Sequence, residues 1–364
     1  MRRRPAEAPG SATAVWKLLL LALVSVVATL GLAELALRAR AATLFGRPDP
    51  GGAIRMVGSR YPGMHDDTLG WVPSPGVHEH NAWGTRVEIL PGTTRSNGAP
   101  PPPGRPVLAV GDSFTFGDEV DDADTWPAQL ERALAVPVVN GGVFGYGLDQ
   151  IALRAEALLA AGDASALVVN IVPNDVLRCE YAYRYAWKPW FTVEDGALVL
   201  EGVPVPPPDQ APPAEPPPRR WLRWSFLADL LYRRLDPEDW LLPDSLRVHR
   251  RGVEVGALLI DRIAALARER EVPLLFVVTW YPRSSPEPAK PVVARARALG
   301  VDVLVLEPLL RHLLGPGGAR IPDLYKVHAK PGQPLDVGHM TPRGNAIVAA
   351  AIAERLRALG VPSG

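Results

Sequence analysis

A chain of 364 residues, 47% hydrophobic and 21% charged, holds enough apolar material for one large domain with appendages. Its 39 basic and 39 acidic side chains cancel, and no basic stripe suits a phosphate backbone, so nucleic acid is not an expected partner. The single cysteine, Cys179, excludes an intrachain disulfide and a Cys-rich zinc site. It reads as a small buried apolar residue.

Arg2, Arg3, Arg4 and Lys17 precede an apolar run from Leu18 to Ala33, extended by Leu35 to Leu37 around the lone Glu34. That is close to the ~20 residues a helix needs to cross a bilayer. By the positive-inside rule, residues 1–17 stay cytoplasmic, 18–37 form a transmembrane signal anchor, and the rest lies outside, in the periplasm or at the cell surface. Cleavage at the small-x-small site Ala39-Arg40-Ala41 is the competing reading. The run exceeds the ~7–15 residues of a usual signal core, which favours the anchor. Glu34 near the outer interface can reach headgroup water.

Residues 38–104 are rich in Gly, Pro and Asn with little periodicity, and read as a stalk and a loop layer on the main domain. His78-Glu79-His80 lacks a third ligand nearby and reads as a solvated loop rather than a metal site. From Val107 the pattern changes to short apolar runs alternating with helices: strands at Val107–Val110, Val136–Val143, Leu167–Val172, Leu274–Trp280 and Val301–Leu306. Helices are expected over Thr125–Leu134, Leu148–Ala161, Val248–Arg270, Ala289–Leu299 and Thr341–Leu359. Buried strands alternating with helices imply a parallel sheet covered on both faces, over about 105–360. Chemistry then gathers at the carboxyl ends of the strands.

An insertion at about 176–245 breaks the pattern. It carries Trp187, Trp190, Trp221, Trp224 and Trp240, three tyrosines (Tyr181, Tyr183, Tyr185) and a proline-rich run from Pro204 to Pro218. A lid or substrate wall and a subdomain with its own aromatic core are both open readings.

Four strand-end motifs carry the chemistry. Gly111-Asp112-Ser113-Phe114-Thr115-Phe116-Gly117 puts a serine at a tight turn after a buried strand, where its hydroxyl is exposed at the active edge. Asn140-Gly141-Gly142-Val143-Phe144-Gly145-Tyr146-Gly147 fits no dinucleotide window, and suits a backbone N–H offered to an oxyanion. Val172-Pro173-Asn174-Asp175 offers a side-chain amide at the same edge. Asp336-Val337-Gly338-His339, before the last helix, places a carboxylate where it can receive the imidazole Nδ1–H and leave Nε2 as a base.

This order of Ser, Gly, Asn and Asp-x-x-His resembles the SGNH/GDSL hydrolase superfamily, here as a bacterial membrane-anchored member. The resemblance spans about Val107 to Leu359 and implies a three-layer α/β/α flavodoxin-like sandwich with a mainly five-stranded parallel sheet, behind an N-terminal transmembrane helix. It places the catalytic triad on Ser113, Asp336 and His339 and the oxyanion hole on Ser113, Gly145 and Asn174, with Asp112 supporting. Two positions depart from the pattern: Phe114 stands where many members have Leu, and Pro173 where a glycine usually precedes the asparagine.

The implied activity is that of a serine esterase needing no metal or organic cofactor, its rate falling as His339 protonates below neutrality. An O-acetylated envelope carbohydrate is the first expectation for the substrate, since aromatic side chains stack on sugar rings. A lipid ester becomes the expectation if the insertion's aromatics face the bilayer. An envelope O-acyltransferase would use the same triad with a sugar hydroxyl as acceptor, and a non-catalytic scaffold would keep only the fold.

Overall fold

The computed structural model describes residues 11–41, 43, 55–58, 60–210, 217–235, 240, 246–282, 284–328 and 336–361, the side chains of 11–13, 217, 218, 220 and 336 excepted. In chain order its main elements are α1 (Ser11–Arg40), β1 (Val107–Gly111), α2 (Ser113–Phe116), α3 (Trp126–Leu134), β2 (Val138–Asn140), α4 (Leu148–Ala161), β3 (Ala166–Ile171) and α5 (Asn174–Arg178). Then follow α6 (Pro217–Leu222), α7 (Phe226–Leu235), α8 (Gly252–Glu269), β4 (Leu274–Val278), α9 (Ala289–Ala298), β5 (Asp302–Val305) and α10 (Pro342–Ala358). They divide into two compact units. One joins Met1–Ala53 to Pro213–Asp244, and the other joins Ile54–Pro212 to Ser245–Gly364.

The larger unit is an α/β/α sandwich. Its five strands are all parallel, in the order 2-1-3-4-5. Alternation along each strand explains the two helical layers. Val107, Ala109, Val168 and Val277 pack against Leu130 and Leu134 of α3 and Val348 and Ile352 of α10. Leu108, Val110, Val169 and Phe276 face Ile151 of α4, Leu259 of α8 and Val292 of α9. With both faces covered, β1 and β3 are buried from end to end, which is why they read as continuous apolar runs. Local chemistry sets the helix starts: Thr125 accepts from the Ala128 N–H at 3.2 Å, and Thr341 from the Gly344 N–H at 3.1 Å.

The second strand is shorter than expected, ending at Asn140 rather than Val143. The glycines explain it. A Cβ on Gly142 would stand 2.2 Å from the Phe116 nitrogen, so the chain leaves the sheet there to pass close beneath α2.

Residues 56–96 are more ordered than their composition suggests. They form two antiparallel pairs, Gly63–Asp66 with Gly70–Pro73 and Gly76–His78 with Val87–Ile89. Strands of three or four residues are too short to leave a period in the sequence. The layer is wired into the site loops. Trp71 is fully buried, and its indole N–H donates to the Phe144 carbonyl at 2.9 Å, while the Tyr146 hydroxyl donates to the Trp71 carbonyl at 2.5 Å.

Arg95 bridges to Asn140 at the sheet edge and buries its guanidinium over the Phe116 ring. It pairs with Asp122 at 2.9 Å and donates to the carbonyls of Phe116, Gly117 and Val120 at 2.6–3.0 Å. One arginine thus fixes the whole loop that follows the nucleophile helix.

In the smaller unit, α1 contains a 27-residue stretch, Ala14–Arg40, whose most apolar 18-residue window has mean hydropathy 2.4, long and apolar enough to cross a membrane. Helix α7 packs on it. The insertion of the sequence reading is therefore shared between units: Trp187 and Trp190 belong to the larger one, and Trp221, Trp224 and Trp240 to the smaller.

Candidate active site

The strand order reverses direction between β1 and β3, and in an open parallel sheet the crevice at such a point, beyond the carboxyl ends, is where ligands bind. Ser113 follows β1 and Asn174 follows β3. Sequence dictates the sharp turn into Ser113. A Cβ on Gly111 would meet Thr115 Oγ1 at 2.1 Å and the Asn170 carbonyl at 2.5 Å, so only glycine fits. Asp112 caps the first turn, its Oδ1 accepting from the Phe114 N–H at 2.9 Å, while Arg178 holds its other oxygen at 3.2 Å. Behind the turn the Asn170 amide donates to Thr115 Oγ1 at 3.1 Å, and Thr279 donates to Asn170 Oδ1 at 2.8 Å. This buried chain of polar groups ties the nucleophile turn to β3 and to the end of β4.

His339 comes from a hairpin formed by Tyr325–His328 and Asp336–Met340. Its Nε2 lies 2.8 Å from Ser113 Oγ, the distance of a hydroxyl donating to an imidazole base. The Phe114 ring lies 4.9 Å from the imidazole and tilted 51° to it, so the departure at this position supplies a wall beside the ring. Tyr281, 5.6 Å from Phe114, donates its hydroxyl to the Val337 carbonyl at 2.6 Å and so steadies the His339 strand.

On the other nitrogen the described partner is Glu119, whose Oε1 is 3.2 Å from His339 Nδ1. Its Oε2 lies 3.1 Å from His328 Nε2, leaving the carboxylate between two imidazoles. Glu119 adopts a left-handed backbone with φ of 70°, a costly conformation for a residue with a side chain, held here by the Arg95 bonds around it. Gly338 makes the room. A Cβ at that position would stand 2.5 Å from Glu119 Oε2 and 2.7 Å from His328 Nε2. Asp336 opens the His339 strand opposite His328, and its side chain lies outside the described residues.

Asp118 is the second carboxylate the sequence reading passed over. It is buried, with Oδ2 3.8 Å from His339 Nε2 and Oδ1 without a hydrogen bond among the described residues. Burial is the chief force pushing its carboxyl up to about 7, opposed by His339 and aided by the neighbouring Glu119 charge. For Glu119, burial would raise the pKa, but the hydrogen bond and charge of His339, with those of His328, hold it below the ordinary glutamate value. His339 shows the mirror balance. Burial would lower it, yet Asp118 and Glu119 together raise it above 6.5. The signal for this pair was in the chain as Gly117-Asp118-Glu119, one turn past the serine, and in the glycine of Asp-Val-Gly-His.

Gly145 sits at φ of 78°, in the left-handed region, and a Cβ there would meet Met56 Cε at 2.7 Å. The left-handed backbone favours glycine, whereas the Met56 methyl is the tip of a flexible side chain and can move aside. Asn174 opens α5 directly after Pro173, whose φ of −54° is the value proline's ring imposes, so proline fits this turn without strain. Ser284, buried and also missed by sequence reading, donates to Asn174 Oδ1 at 2.8 Å and orients the amide. Asp175 accepts from the Val172 N–H at 2.9 Å and pairs with Arg178 at 2.5 Å. Its own carboxyl is pushed up by burial and then by the Asp112 charge across the guanidinium.

No family model and no curated protein matches this chain. Solved structures similar to it include a catalytic mutant of an acetylxylan esterase from Geobacillus stearothermophilus, at 15% identity over 70% of this chain and 95% of that one, with a TM-score of 0.40. A GDSL-like lipase from Bacteroides thetaiotaomicron is similar at 14% identity over 72% and 94%, with a TM-score of 0.37. A lipase/acylhydrolase from Enterococcus faecalis is similar at 13% identity over 70% and 97%, with a TM-score of 0.38. Likeness at this level decides nothing about chemistry, which has to be read from the side chains gathered around Ser113.

Proposed function

We propose that the chain is a serine esterase of the SGNH/GDSL kind, tethered to a membrane by α1, with its sheet domain on the extracytoplasmic side. The observation that carries the reading is the 2.8 Å approach of Ser113 Oγ to His339 Nε2, with a carboxylate at Nδ1. Ser113 attacks the ester carbonyl as its proton passes to His339 Nε2. The tetrahedral intermediate collapses, the alcohol leaves with that proton, and the acyl group stays on Ser113. Water, deprotonated by the same nitrogen, then attacks the acyl carbon, and the acid leaves with Ser113 restored.

The oxyanion is assigned to the backbone N–H groups of Ser113 and Gly145 and to the Asn174 amide. A first-turn N–H has no partner within its own helix, and a left-handed glycine brings backbone close to substrate without a side chain in the way. Asn174→Ala is expected to raise the barrier by ~2.7–4 kcal/mol, about 10²–10³ in kcat, with a smaller change in KM. Ser284→Ala should lose less, because the amide remains and only its orientation is freed. Steady-state kinetics of the two variants check the order.

The pH dependence follows from the charges around His339. The active base is the neutral imidazole, and its pKa is raised above 6.5. The rate should therefore fall as pH drops through a midpoint above 6.5. Asp118→Asn, which removes the adjacent carboxylate, should move that midpoint down. A kcat/KM profile flat from about pH 8 to about pH 5 would remove His339 as the base.

For substrate, an O-acetyl ester on envelope carbohydrate remains the reading. The half-buried rings of Tyr61 and Trp83, packed edge to face at 5.3 Å, stand beside Phe116 and Phe144 of the site loops. The pKa of the Tyr61 hydroxyl is raised by burial and then by the charge of Asp118. Aromatic faces of this kind suit the C–H face of a sugar. Residues 42–364 assayed on p-nitrophenyl acetate, butyrate and octanoate test the reading. Preference for acetate supports a small acyl group, and preference for octanoate supports a lipid ester instead.

A further inference from the structure

Glu34 is a carboxylate inside an otherwise apolar run, and the structure gives it an occupation. Its two oxygens accept from the Phe226 N–H at 3.0 Å, the Leu227 N–H at 2.8 Å and the Ser225 hydroxyl at 2.9 Å, capping the first turn of α7. Arg38 pairs with Glu34 at 2.8 Å, donates to the Trp224 carbonyl at 2.5 Å, and lies over the Phe226 ring. On α1 the covered positions are Ala33, Glu34, Leu37 and Arg38, one helical face, while the rest of its apolar run is exposed.

The helical segment so held is built inside out for water. Trp240 is buried within it, stacked on Tyr232 at 4.7 Å, with its indole N–H donating to Asp229 at 2.7 Å. The large apolar side chains point outward instead: Trp221 is 69% exposed, Trp224 53%, Leu230 50%, Leu231 54% and Leu235 69%. Leu231 and Leu235 are four apart and Leu230 adjoins them, so on α7 they form one stripe.

We propose that α6 and α7 are a membrane-interface element: they lie in the outer leaflet of the same bilayer that α1 crosses, with the leucine stripe and the two exposed tryptophans in the acyl–headgroup boundary. The inference rests on the proposed anchoring by α1. What fixes the depth is continuity with that helix. Counting ~20 residues from Leu18 for the hydrocarbon core ends the span near Leu37, and the Glu34–Arg38 lock holds the start of α7 at that level. Tryptophan is the side chain enriched at this boundary. Free N–H groups of a helix start at such depth have little water to bond, and a carboxylate from the span satisfies them. Arg234 is exposed beside the stripe and suits anionic headgroups, while Arg233 pairs with Asp229 at 2.7 Å.

The test uses the full chain reconstituted in vesicles of phosphatidylcholine with phosphatidylglycerol. In a Cys179→Ala background, single nitroxide labels are placed through Leu231→Cys and Leu235→Cys on α7, Leu21→Cys within α1, and Gly196→Cys on an exposed turn of the larger unit. Each is read for collisional broadening by oxygen and by a water-soluble nickel chelate. The expected result is oxygen exceeding nickel at 21, 231 and 235, and the reverse at 196. If 21 is lipid-exposed but 231 and 235 behave like 196, the interface role is overturned and the anchor stands. If 21 also behaves like 196, the anchor reading fails and this inference falls with it. Labels at 231 and 235 inaccessible to both reagents mean that protein, such as a second copy, covers the stripe, which also overturns the proposal. Glu34→Ala should leave 21 lipid-exposed while loosening the label at 231, and an unchanged 231 spectrum would remove Glu34 as the lock.

Discussion

Ser113→Ala should abolish ester hydrolysis, lowering kcat by about 10⁶ and leaving only the rate that oriented binding and the oxyanion donors supply. The size follows from the mechanism, because removing the nucleophile removes the acyl-enzyme route altogether rather than slowing one step of it. Folding should survive. Ser113 heads a helix whose cap is Asp112 and whose core contacts are made by Phe114 and Phe116, so an alanine methyl costs the turn little. Thermal melting alongside kinetics on p-nitrophenyl esters separates the two effects. Equal hydrolysis by wild type and variant, or none by either, would sink the esterase reading and turn attention to acyl transfer onto a sugar hydroxyl or to a scaffold.

The second large effect concerns which carboxylate serves His339. The motif assigns Asp336, and the described geometry supplies Glu119 at 3.2 Å from Nδ1. A carboxylate there selects the tautomer that leaves Nε2 free and steadies the imidazolium, and its amide replacement in a triad costs about 10⁴ in kcat. Glu119→Gln is therefore expected to lose between about 10² and about 10⁴, because the amide can still hydrogen-bond the ring but carries no charge. Asp336→Asn is the paired measurement. If Asp336→Asn loses the full factor while Glu119→Gln stays near wild type, the acid is the motif's aspartate and Glu119 only lines the site. Strong losses in both would make the two carboxylates a shared support for one imidazole.

The parts of this chain that were legible in advance are those with a repeating physical cause. Buried parallel strands repeat Val, Leu and Ala because both of their faces are covered. Thr125 and Thr341 announce helix starts because a hydroxyl satisfies an orphan N–H. Ser113, Gly145, Asn174 and His339 could be singled out because each stands at the end of a strand with residues that force a turn. Ser284 had no such marker, and the Gly117-Asp118-Glu119 signal takes its meaning only from where the fold brings the two carboxylates. Their places depend on the 116–120 loop being pinned by Arg95, 21 residues or more upstream of its acceptors, and on Gly338 leaving space for a carboxylate from elsewhere in the chain. Contacts of that kind follow from packing, which no local period encodes. The insertion at about 176–245 has a uniform aromatic composition, and composition does not show that Trp187 and Trp190 belong to one compact unit and Trp221, Trp224 and Trp240 to the other.

Arg95 and Trp71 also bear on how this chain can be trimmed. A fragment starting near Val107 looks like the natural sheet domain, since the proline-rich Gly98–Pro106 stretch resembles a linker. Such a cut would remove the guanidinium that satisfies Asp122 and three loop carbonyls in the interior. Orphaning a buried ion-pair partner costs about 3–5 kcal/mol, against about 5–15 kcal/mol for a whole domain. The shortest fragment that keeps activity should therefore begin ahead of Met56, and proteolysis of a longer soluble form should leave a resistant product with that boundary, not one at the first strand.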